Sequence, residues 1–235
     1  MNYGNGGDFK SSGELFAIEY IKHKTAGKEN IVLFDVGANL GHYTVEMAKL
    51  FSHRTTRIYS FEPSRAAYAK MLENVNGIKN ITANNLGFSD AATTSILFKD
   101  TDLSALASLY QRRLDHFEIQ MNKTETIELT TIDNYCTENN IEKIDFLKLD
   151  VEGHELKVLQ GAAKMISRQK IDFIQFEFGG CNIDSRTFFQ DFFYLLNKDF
   201  TIYRIVENGL FLIPAYRETY EVFTTINYLA ERKNI

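Results

Sequence analysis

The chain has 235 residues, of which 44% are hydrophobic and 24% charged, and its formal net charge is −5. These proportions are ordinary for a folded globular protein and exclude a disordered chain, while the acidic balance disfavours broad nucleic-acid binding, which normally needs a basic face. The sequence has no run of about 18 apolar residues and its two cysteines form no disulfide framework, so we expect one domain over residues 1–235 in the cytoplasm, without an integral membrane segment.

The first half of the chain alternates helical and strand patterns. Residues 1–13 are rich in Gly, Asn and Ser, which predicts a flexible N-terminal arm. The spacing of apolar residues then predicts, in chain order, a helix from Glu14, a strand over 31–36, a helix over 42–50, a strand over 58–61, a helix over 66–74 and a strand over 81–84.

The second half continues this alternation around an insertion over residues 100–124. The predicted elements are strands over 95–98 and 125–129, a helix over 131–139, a strand over 144–149, a helix over 155–165, a strand over 171–176, a helix over 188–196 and a hairpin over 201–206 and 210–213. The sequence therefore predicts an α/β fold. Its centre is a Rossmann-like, doubly wound and mostly parallel seven-stranded sheet, with a C-terminal antiparallel hairpin and helices on both faces.

A glycine-containing loop joins the first predicted strand to the next helix, with the sequence Asp35-Val36-Gly37-Ala38-Asn39-Leu40-Gly41. Glycine lets the backbone pass close to a ligand, and the helix N-terminus offers unpaired N–H groups to an anionic group. The loop lacks both the GxGxxG pattern of dinucleotide-binding folds and the GK[ST] of a phosphate-binding loop. A tight turn without a ligand is the alternative interpretation.

Glu62 directly follows the second predicted strand. In open α/β sheets, ligands bind at the carboxyl ends of the strands near the point where the strand order reverses. A carboxylate there can accept hydrogen bonds from both hydroxyls of a ribose. A solvated glutamate at a strand end is the alternative.

These segments together resemble a known enzyme family. DVGANLG followed by FEP resembles the cofactor site of class I S-adenosylmethionine-dependent methyltransferases. The segment Asp150-Val151-Glu152-Gly153-His154-Glu155, with Thr131-Ile132-Asp133 before it and Phe176-Glu177 after it, resembles the FkbM methyltransferases. The resemblance covers about residues 12–230.

The resemblance implies S-adenosyl-L-methionine as the cofactor and S-adenosyl-L-homocysteine as the product. The glycine loop would cradle the methionine end of the cofactor, Glu62 would hold the ribose hydroxyls, and the residues after the third strand would border the adenine ring. The implied cofactor-binding residues are Asp35, Gly37, Asn39, Gly41, Glu62, Asn85, Leu86 and Asp150. Glu14 could reach the methionine amine, although an acid at a helix N-terminus is an equally good interpretation, and a turn residue is the alternative for Asn85.

Methyl transfer to a hydroxyl requires alignment of the acceptor and removal of its proton. Asp150, Glu152 and His154 are the candidate catalytic residues, since they crowd one strand end. We expect the neighbouring carboxylates to raise the pKa of His154 or to compete with it for one proton or a cation, and we favour this histidine as the base if it faces the pocket. An exposed first-turn histidine is the alternative, and Glu155 is expected to orient the loop or cap the helix.

A divalent metal is a further option at this strand end. Asp150, Glu152, His154 and Glu177 could form an oxygen-rich metal site. Because no metal motif of fixed spacing is present, we predict that the reaction needs no metal.

The insertion over residues 100–124 is expected on the acceptor side. Ser108, Tyr110, Arg112 and His116 could contact a polar acceptor, and an amphipathic helix covering the sheet is the favoured alternative. The resemblance implies an O-methyltransferase for a hydroxyl of a sugar in a polysaccharide, glycolipid or glycosylated natural product. The expected partner is thus a small molecule or glycan and not a nucleic acid. A protein or RNA acceptor, or a non-catalytic cofactor-binding module, remains open, and the sequence predicts no oligomeric state.

Overall fold

An eight-stranded sheet forms the centre of the computed structural model, which describes residues 12–234. The strands of this sheet and of a separate smaller sheet are β1 (Asn30–Val36), β2 (Thr55–Phe61), β3 (Ile81–Asn84), β4 (Gly87–Phe88), β5 (Thr93–Lys99), β6 (Lys123–Thr130), β7 (Ile144–Leu149), β8 (Ile171–Phe178), β9 (Phe200–Val206), β10 (Gly209–Ile213) and β11 (Ile226–Arg232). The helices are α1 (Glu14–Lys24), α2 (His42–Leu50), α3 (Arg65–Asn74), α4 (Ile132–Glu138), α5 (Glu155–Gln160), α6 (Ala163–Ser167), α7 (Cys181–Ser185) and α8 (Phe189–Leu196). Of the predicted arm over residues 1–13, residues 1–11 lie outside the described residues.

The strand order of the central sheet is β10-β9-β11-β8-β7-β1-β2-β3. Strands β3, β2, β1, β7 and β8 run parallel, whereas β11, β9 and β10 continue the sheet in antiparallel pairs. The chain leaves β1 toward β2 on one side and later returns to β7 on the other. The strand order therefore reverses between β1 and β7, which opens a crevice at their carboxyl ends.

The strands at the middle of the sheet are buried on both faces. Every residue of β7 and β8 is buried, as expected for parallel strands covered by helices on both sides. Alternate residues enter two separate hydrophobic clusters: Phe34 and Leu147 lie in one, and Leu33 and Phe146 in the other. The predicted α/β fold with helices on both faces is confirmed.

The predicted count of seven strands is wrong, because β11 adds an eighth strand to the central sheet. This strand pairs antiparallel with both β8 and β9, so the predicted C-terminal hairpin, which is confirmed as β9 and β10, joins the sheet through it. The segments around the insertion form a second, three-stranded sheet in the order β4-β6-β5. Local pattern gave no indication of either arrangement, since both depend on pairing between distant segments.

Two helical predictions also need correction. In the described structure the insertion over residues 100–124 contains no α-helix, only a 3-10 turn at Asp115–Phe117. The predicted helix over 155–165 is divided into α5 and α6. Gly161 lies between them against the residue that follows β4, where a Cβ atom would come within 2.0 Å of the carbonyl oxygen of Ser89. The carboxylate of Asp133 accepts hydrogen bonds from the backbone N–H groups of Lys164 and Met165, which begins the second helix.

Candidate active site

A cavity of about 570 Å³ opens at the carboxyl ends of β1, β2, β7 and β8. Its position agrees with the crevice expected where the strand order reverses. The polar side chains along its wall include Glu14, Asn39, Glu62, Lys148, Asp150, Glu152, His154 and Glu177, and its apolar wall includes Phe61, Leu86, Phe88, Leu97, Leu109, Ile127 and Leu129. The apolar wall comes largely from the three-stranded sheet and the adjoining insertion, which cover the end of the central sheet.

The glycine loop passes between β1 and the end of β7. Gly37 has a φ of 82°, and a Cβ atom there would lie 1.8 Å from the carbonyl oxygen of Asp150. The backbone N–H groups of Gly37 and Ala38 both donate to the carbonyl oxygen of Phe61. Glycine is thus required for the close packing of two strand ends, whether or not a ligand is bound. Gly41, with a φ of 79°, packs against α3 and does not line the cavity.

Glu62 lies at the cavity wall with its carboxylate held by backbone donors. One oxygen accepts from the N–H of Asn39 at 2.9 Å, and the other accepts from the N–H of Ser64 at 2.8 Å. Burial raises the pKa of Glu62 to about 7. The side chain is therefore buried and fixed beside the glycine loop, and it is not the solvated strand-end glutamate that was the alternative.

Of the two residues predicted to border the adenine ring, the structure brings only one to the cavity wall. Leu86 lines the cavity, whereas Asn85 does not. The amide of Asn85 donates instead to the carbonyl oxygens of Glu62 and Pro63, both at 2.9 Å. This geometry agrees with a turn residue, the alternative for this position.

Asp35 is fully buried and does not line the cavity. The hydroxyl of Thr44 donates to its Oδ2 at 2.6 Å, and its Oδ1 lies 3.8 Å from the Nζ of Lys148. Burial raises the pKa of Asp35. Its placement points to contact with the cavity through Lys148 rather than directly.

Glu14, at the first position of α1, does reach the cavity. Its carboxylate accepts from the amide of Gln175 at 2.9 Å and from the hydroxyl of Ser12 at 3.0 Å. Burial raises its pKa. The helix start thus carries an acid that faces the cavity, and the two interpretations of Glu14 are compatible.

Sequence reasoning missed Lys148 and Gln175, two buried polar residues of β7 and β8. The Nζ of Lys148 donates to Oδ2 of Asp150 at 2.9 Å and lies 4.6 Å from the ring centre of Tyr43. The hydroxyl of Tyr43 in turn donates to Gln175 at 3.1 Å. A lysine and a glutamine with apolar residues on both sides in β7 and β8 were the signal that could have identified both.

The loop after β7 is strained and internally braced. Glu152 and Gly153 have φ angles of 52° and 101°. The buried carboxylate of Glu155 accepts from the N–H groups of Val151 and Gly153, so its placement agrees with the loop-orienting role. Such left-handed backbone at a non-glycine residue is costly and often occurs at functional sites.

Arg112 and Ser108 of the insertion attach to this same loop. The guanidinium of Arg112 forms an ion pair with Glu152, and the hydroxyl of Ser108 donates to the carbonyl oxygen of Glu152 at 2.7 Å. Burial and the nearby Asp150 raise the pKa of Glu152 to about 8 despite the arginine. The arginine therefore anchors the insertion to the loop and does not line the cavity.

His154 lines the cavity, but its predicted pKa shift is wrong in sign. Burial lowers the pKa of His154 to about 4, because only Asp90 offers an appreciable opposing charge. Its Nε2 lies 2.9 Å from the hydroxyl oxygen of Ser89, and its Nδ1 lies 3.0 Å from that of Tyr110. The imidazole is thus buried, neutral at pH 7 and engaged at both nitrogens, and it is not the exposed first-turn histidine of the alternative.

The four residues considered for a metal do not form one ligand set in the described part of the chain. Glu152, Glu177 and Cys181 place potential ligand atoms within 4.8 Å of one another, without Asp150 or His154. Glu152 already pairs with Arg112. The thiol of Cys181 is buried, and burial raises its pKa well above the usual range, so it is held protonated rather than as a thiolate ligand.

Comparison with known proteins identifies relatives of this site. Residues 35–201 match the methyltransferase FkbM domain. The 2-O-methyltransferase NoeI of Sinorhizobium fredii is 23% identical over 159 residues, which are 63% of this chain and 64% of NoeI. The hexuronic acid methyltransferase AglP of Haloferax volcanii is 25% identical over 149 residues, which are 63% of this chain and 55% of AglP. The chain thus spans between about half and two thirds of the length of these relatives.

Solved structures support the same fold. The crystal structure of an FkbM methyltransferase from Methylobacillus flagellatus aligns with a TM-score of 0.51 and 18% identity, covering 96% of this chain and 56% of that one. The methyltransferase domain of METTL16 aligns with a TM-score of 0.51 and 11% identity, covering 93% of this chain and 67% of that one. In the described residues, no helix has the length and apolar character that spanning a membrane would require.

Proposed function

The chain belongs to the FkbM methyltransferase family, and from that premise we propose that it transfers the methyl group of S-adenosylmethionine to a hydroxyl of a sugar. The sugar preference is supported by NoeI and AglP, whose names specify a 2-O-methyltransferase and a hexuronic acid methyltransferase. The family match over residues 35–201 contains both the glycine loop and the segment after β7.

The charge of the cavity wall is the observation that carries this proposal. The wall contains the carboxyl groups of Glu14, Glu62, Asp150, Glu152 and Glu177, and Lys148 is the sole lysine or arginine among the described residues that line it. S-Adenosylmethionine supplies an electrophilic methyl group on a positively charged sulfur and also carries an ammonium group. An acidic cavity with one cation fits such a ligand better than it fits a polyphosphate such as a nicotinamide dinucleotide.

In this proposal, residues of the cavity wall bind different parts of the cofactor and the acceptor. Glu62, fixed by two backbone donors, accepts hydrogen bonds from the ribose hydroxyls, and Leu86 packs against the adenine. Glu14 binds the ammonium group. Asp150 and Glu152 stand where the acceptor enters, and each is anchored by a cation, Lys148 or Arg112.

His154 belongs to a chain of hydrogen bonds that can carry the proton of the acceptor away. The hydroxyl of Ser89 donates to the carboxylate of Asp90 at 3.0 Å, so its oxygen is left to accept from Nε2–H of His154. Nδ1 then accepts from the hydroxyl of Tyr110. Asp90 is exposed and paired with Lys157 at 2.7 Å. We assign the proton path from Tyr110, which contacts the cavity-lining His154, through His154 and Ser89 to Asp90.

Calorimetric titration with S-adenosylmethionine and, separately, NADH tests the cofactor. We expect micromolar binding of the first alone. The substitution Glu62→Gln should weaken that binding about 10- to 100-fold, because it removes a charged acceptor. The matched control Glu73→Gln, on the exposed face of α3, should leave it unchanged.

Transfer of a labelled methyl group to a panel of uronic acids, neutral sugars, a peptide and RNA then tests the acceptor. Labelling of a sugar supports the proposal, and labelling of peptide or RNA alone contradicts its sugar part. Cofactor binding without transfer to any member of the panel contradicts the proposed acceptor class and favours a non-catalytic module. Absence of cofactor binding contradicts the proposal as a whole.

A further inference from the structure

Among the described residues that line the acidic cavity, Lys148 carries the one ammonium group. Its side chain is only 5% exposed and projects from β7 beside Asp35 of β1. Because the described wall of the cavity has no other lysine or arginine, any anionic group of a ligand that needs a cation has this single partner.

The contacts of Lys148 leave donor capacity for a ligand. An ammonium group has three N–H donors. One is used by Asp150 at 2.9 Å, while Oδ1 of Asp35, at 3.8 Å, lies beyond hydrogen-bond distance and has no hydrogen-bond partner among residues 12–234. Within the same residues the other two donors have no oxygen or nitrogen acceptor at hydrogen-bond distance, so Lys148 can still donate to a ligand in the cavity.

Glu14 and Lys148 are joined by a common support. Gln175 donates to Glu14 and accepts from the hydroxyl of Tyr43, and the ring of Tyr43 lies 4.6 Å from the Nζ of Lys148. The carboxyl group of Glu14 and the ammonium group of Lys148 are therefore both supported by Gln175 and Tyr43 at the cavity wall. An α-amino acid group, which carries an ammonium and a carboxylate on adjacent atoms, has the charge pattern that complements this arrangement.

We propose that Lys148 binds the carboxylate of the methionine moiety of S-adenosylmethionine, while Glu14 binds its ammonium group. This inference rests on the proposed function and assigns a role to a residue that sequence reasoning passed over. Lys148 keeps its bond to Asp150 and donates a second hydrogen bond to the ligand. It thereby holds the amino-acid end of the ligand beside Asp150.

Removal of the carboxylate from the ligand, combined with removal of the cation from the protein, tests this assignment. Binding of S-adenosylmethionine and of its decarboxylated analogue is measured by calorimetry for the wild type, Lys148→Met and Lys148→Arg. We expect the wild type to bind the complete ligand about 10- to 100-fold more tightly than the analogue. In Lys148→Met the two affinities should agree within about twofold, and Lys148→Arg should retain part of the preference.

The control is Lys99→Met, which removes another buried lysine, paired with Glu125 at 2.6 Å and absent from the cavity wall. Thermal unfolding of each variant confirms that it is folded. Should Lys148→Met fail to fold, a reduced but not abolished preference in Lys148→Arg supports the assignment, and an unreduced preference in that variant, or equal affinities in the wild type itself, overturn it.

The outcomes separate the two proposals. If the wild type binds neither ligand, the proposed function fails. If it binds both and Lys148→Met keeps the full preference for the carboxylate, only the assignment of Lys148 fails. A preference for uronic acid over neutral sugar that disappears in Lys148→Met, with the cofactor preference intact, would place the acceptor's carboxylate at Lys148 and also overturn the assignment.

Discussion

The two ends of the central sheet differ in how far their ionisable side chains are paired with opposite charges. At the amino end, the buried carboxylates of Asp145 and Asp172 pair with Lys28, Lys143 and Arg232. At the carboxyl end, Glu14, Asp35, Glu62, Asp150, Glu152 and Glu177 are grouped around Lys148 and Arg112. The carboxylates at the amino end are paired within the protein, whereas the carboxyl groups at the other end outnumber their cationic partners.

The pKa directions follow this difference. The surrounding cations lower the pKa of Asp172, whereas burial raises the pKa of Glu14, Asp35, Glu62 and Glu177. Paired charges favour the folded state, while underpaired buried carboxylates oppose it and are available for a cationic ligand. The same strands thus bear paired charges at one end and underpaired buried carboxyl groups at the other, where we propose that the cofactor binds.

The largest expected effect is at the carboxyl end, from His154→Gln. Loss of the imidazole breaks the hydrogen-bonded chain between Tyr110 and Ser89. Turnover should fall about 100-fold or more, while the affinity for S-adenosylmethionine stays within about twofold. Steady-state kinetics and calorimetry measure the two quantities. His116→Gln, on the 3-10 turn of the insertion, is the control, and wild-type turnover in His154→Gln would contradict the proton path.

The next effect is at the amino end, where Asp172→Asn should destabilise the fold by about 3 kcal/mol. It leaves Lys143 and Arg232 beside a neutral group, and removing one member of a buried ion pair typically costs about 3–5 kcal/mol. Because these cations are partly exposed, we expect a destabilisation at the lower end of that range. Urea unfolding gives the change. Cofactor affinity should be unaffected, and Asp102→Asn, on the surface, should change neither.

A smaller effect concerns how the stability of the fold depends on pH, which should differ between the carboxyl groups at the two ends of the central sheet. The pKa of Glu62 is about 7 in the folded state and 4.5 in an unperturbed glutamate. The contribution of Glu62 to the free energy of unfolding is therefore most favourable in acid, and it declines by about 2 kcal/mol from pH 5 to pH 7. Asp172, whose pKa is lowered, contributes above the unfolded value near 4, and this contribution is lost as the pH falls further.

Urea unfolding from pH 3 to 8 separates these contributions. Glu62→Gln should reduce the decline in stability between pH 5 and 7, and Asp172→Asn should reduce the loss in acid. Glu73→Gln should retain both features of the wild-type profile, since this residue is exposed. An unchanged profile in Glu62→Gln would mean that the carboxyl end is not destabilised by its buried charge.

The smallest expected effect is that of a chelator. Glu152 is already paired with Arg112, and the thiol of Cys181 is held protonated, so the group of potential ligands near Glu177 is poorly suited to a divalent cation. EDTA should leave turnover within about twofold of its untreated value. Full loss of activity that Mg²⁺ or Mn²⁺ restores would contradict this and would require a metal at the carboxyl end.

Much of the fold could be predicted from the sequence because its signals are local. The apolar runs of β1, β7 and β8 and the Asn-Gly hairpin between β9 and β10 are visible in short windows. The strand β11 could not be placed in this way. Its position between β8 and β9 depends on pairing with strands far away in sequence. The covering sheet over the cavity was missed for the same reason.

For the candidate site, the order of strands and loops along the chain is enough to predict which residue types meet at the carboxyl ends of the strands, because parallel strands bring their ends to one edge. The position and protonation of each of these residues depend on the three-dimensional packing. It set Asp35 and Gly41 away from the cavity wall, enclosed His154 so that its pKa falls instead of rising, and brought Lys148 into an acidic cavity. Burial and the arrangement of neighbouring charges fix these properties, and both arise from contacts between segments that are distant in the chain.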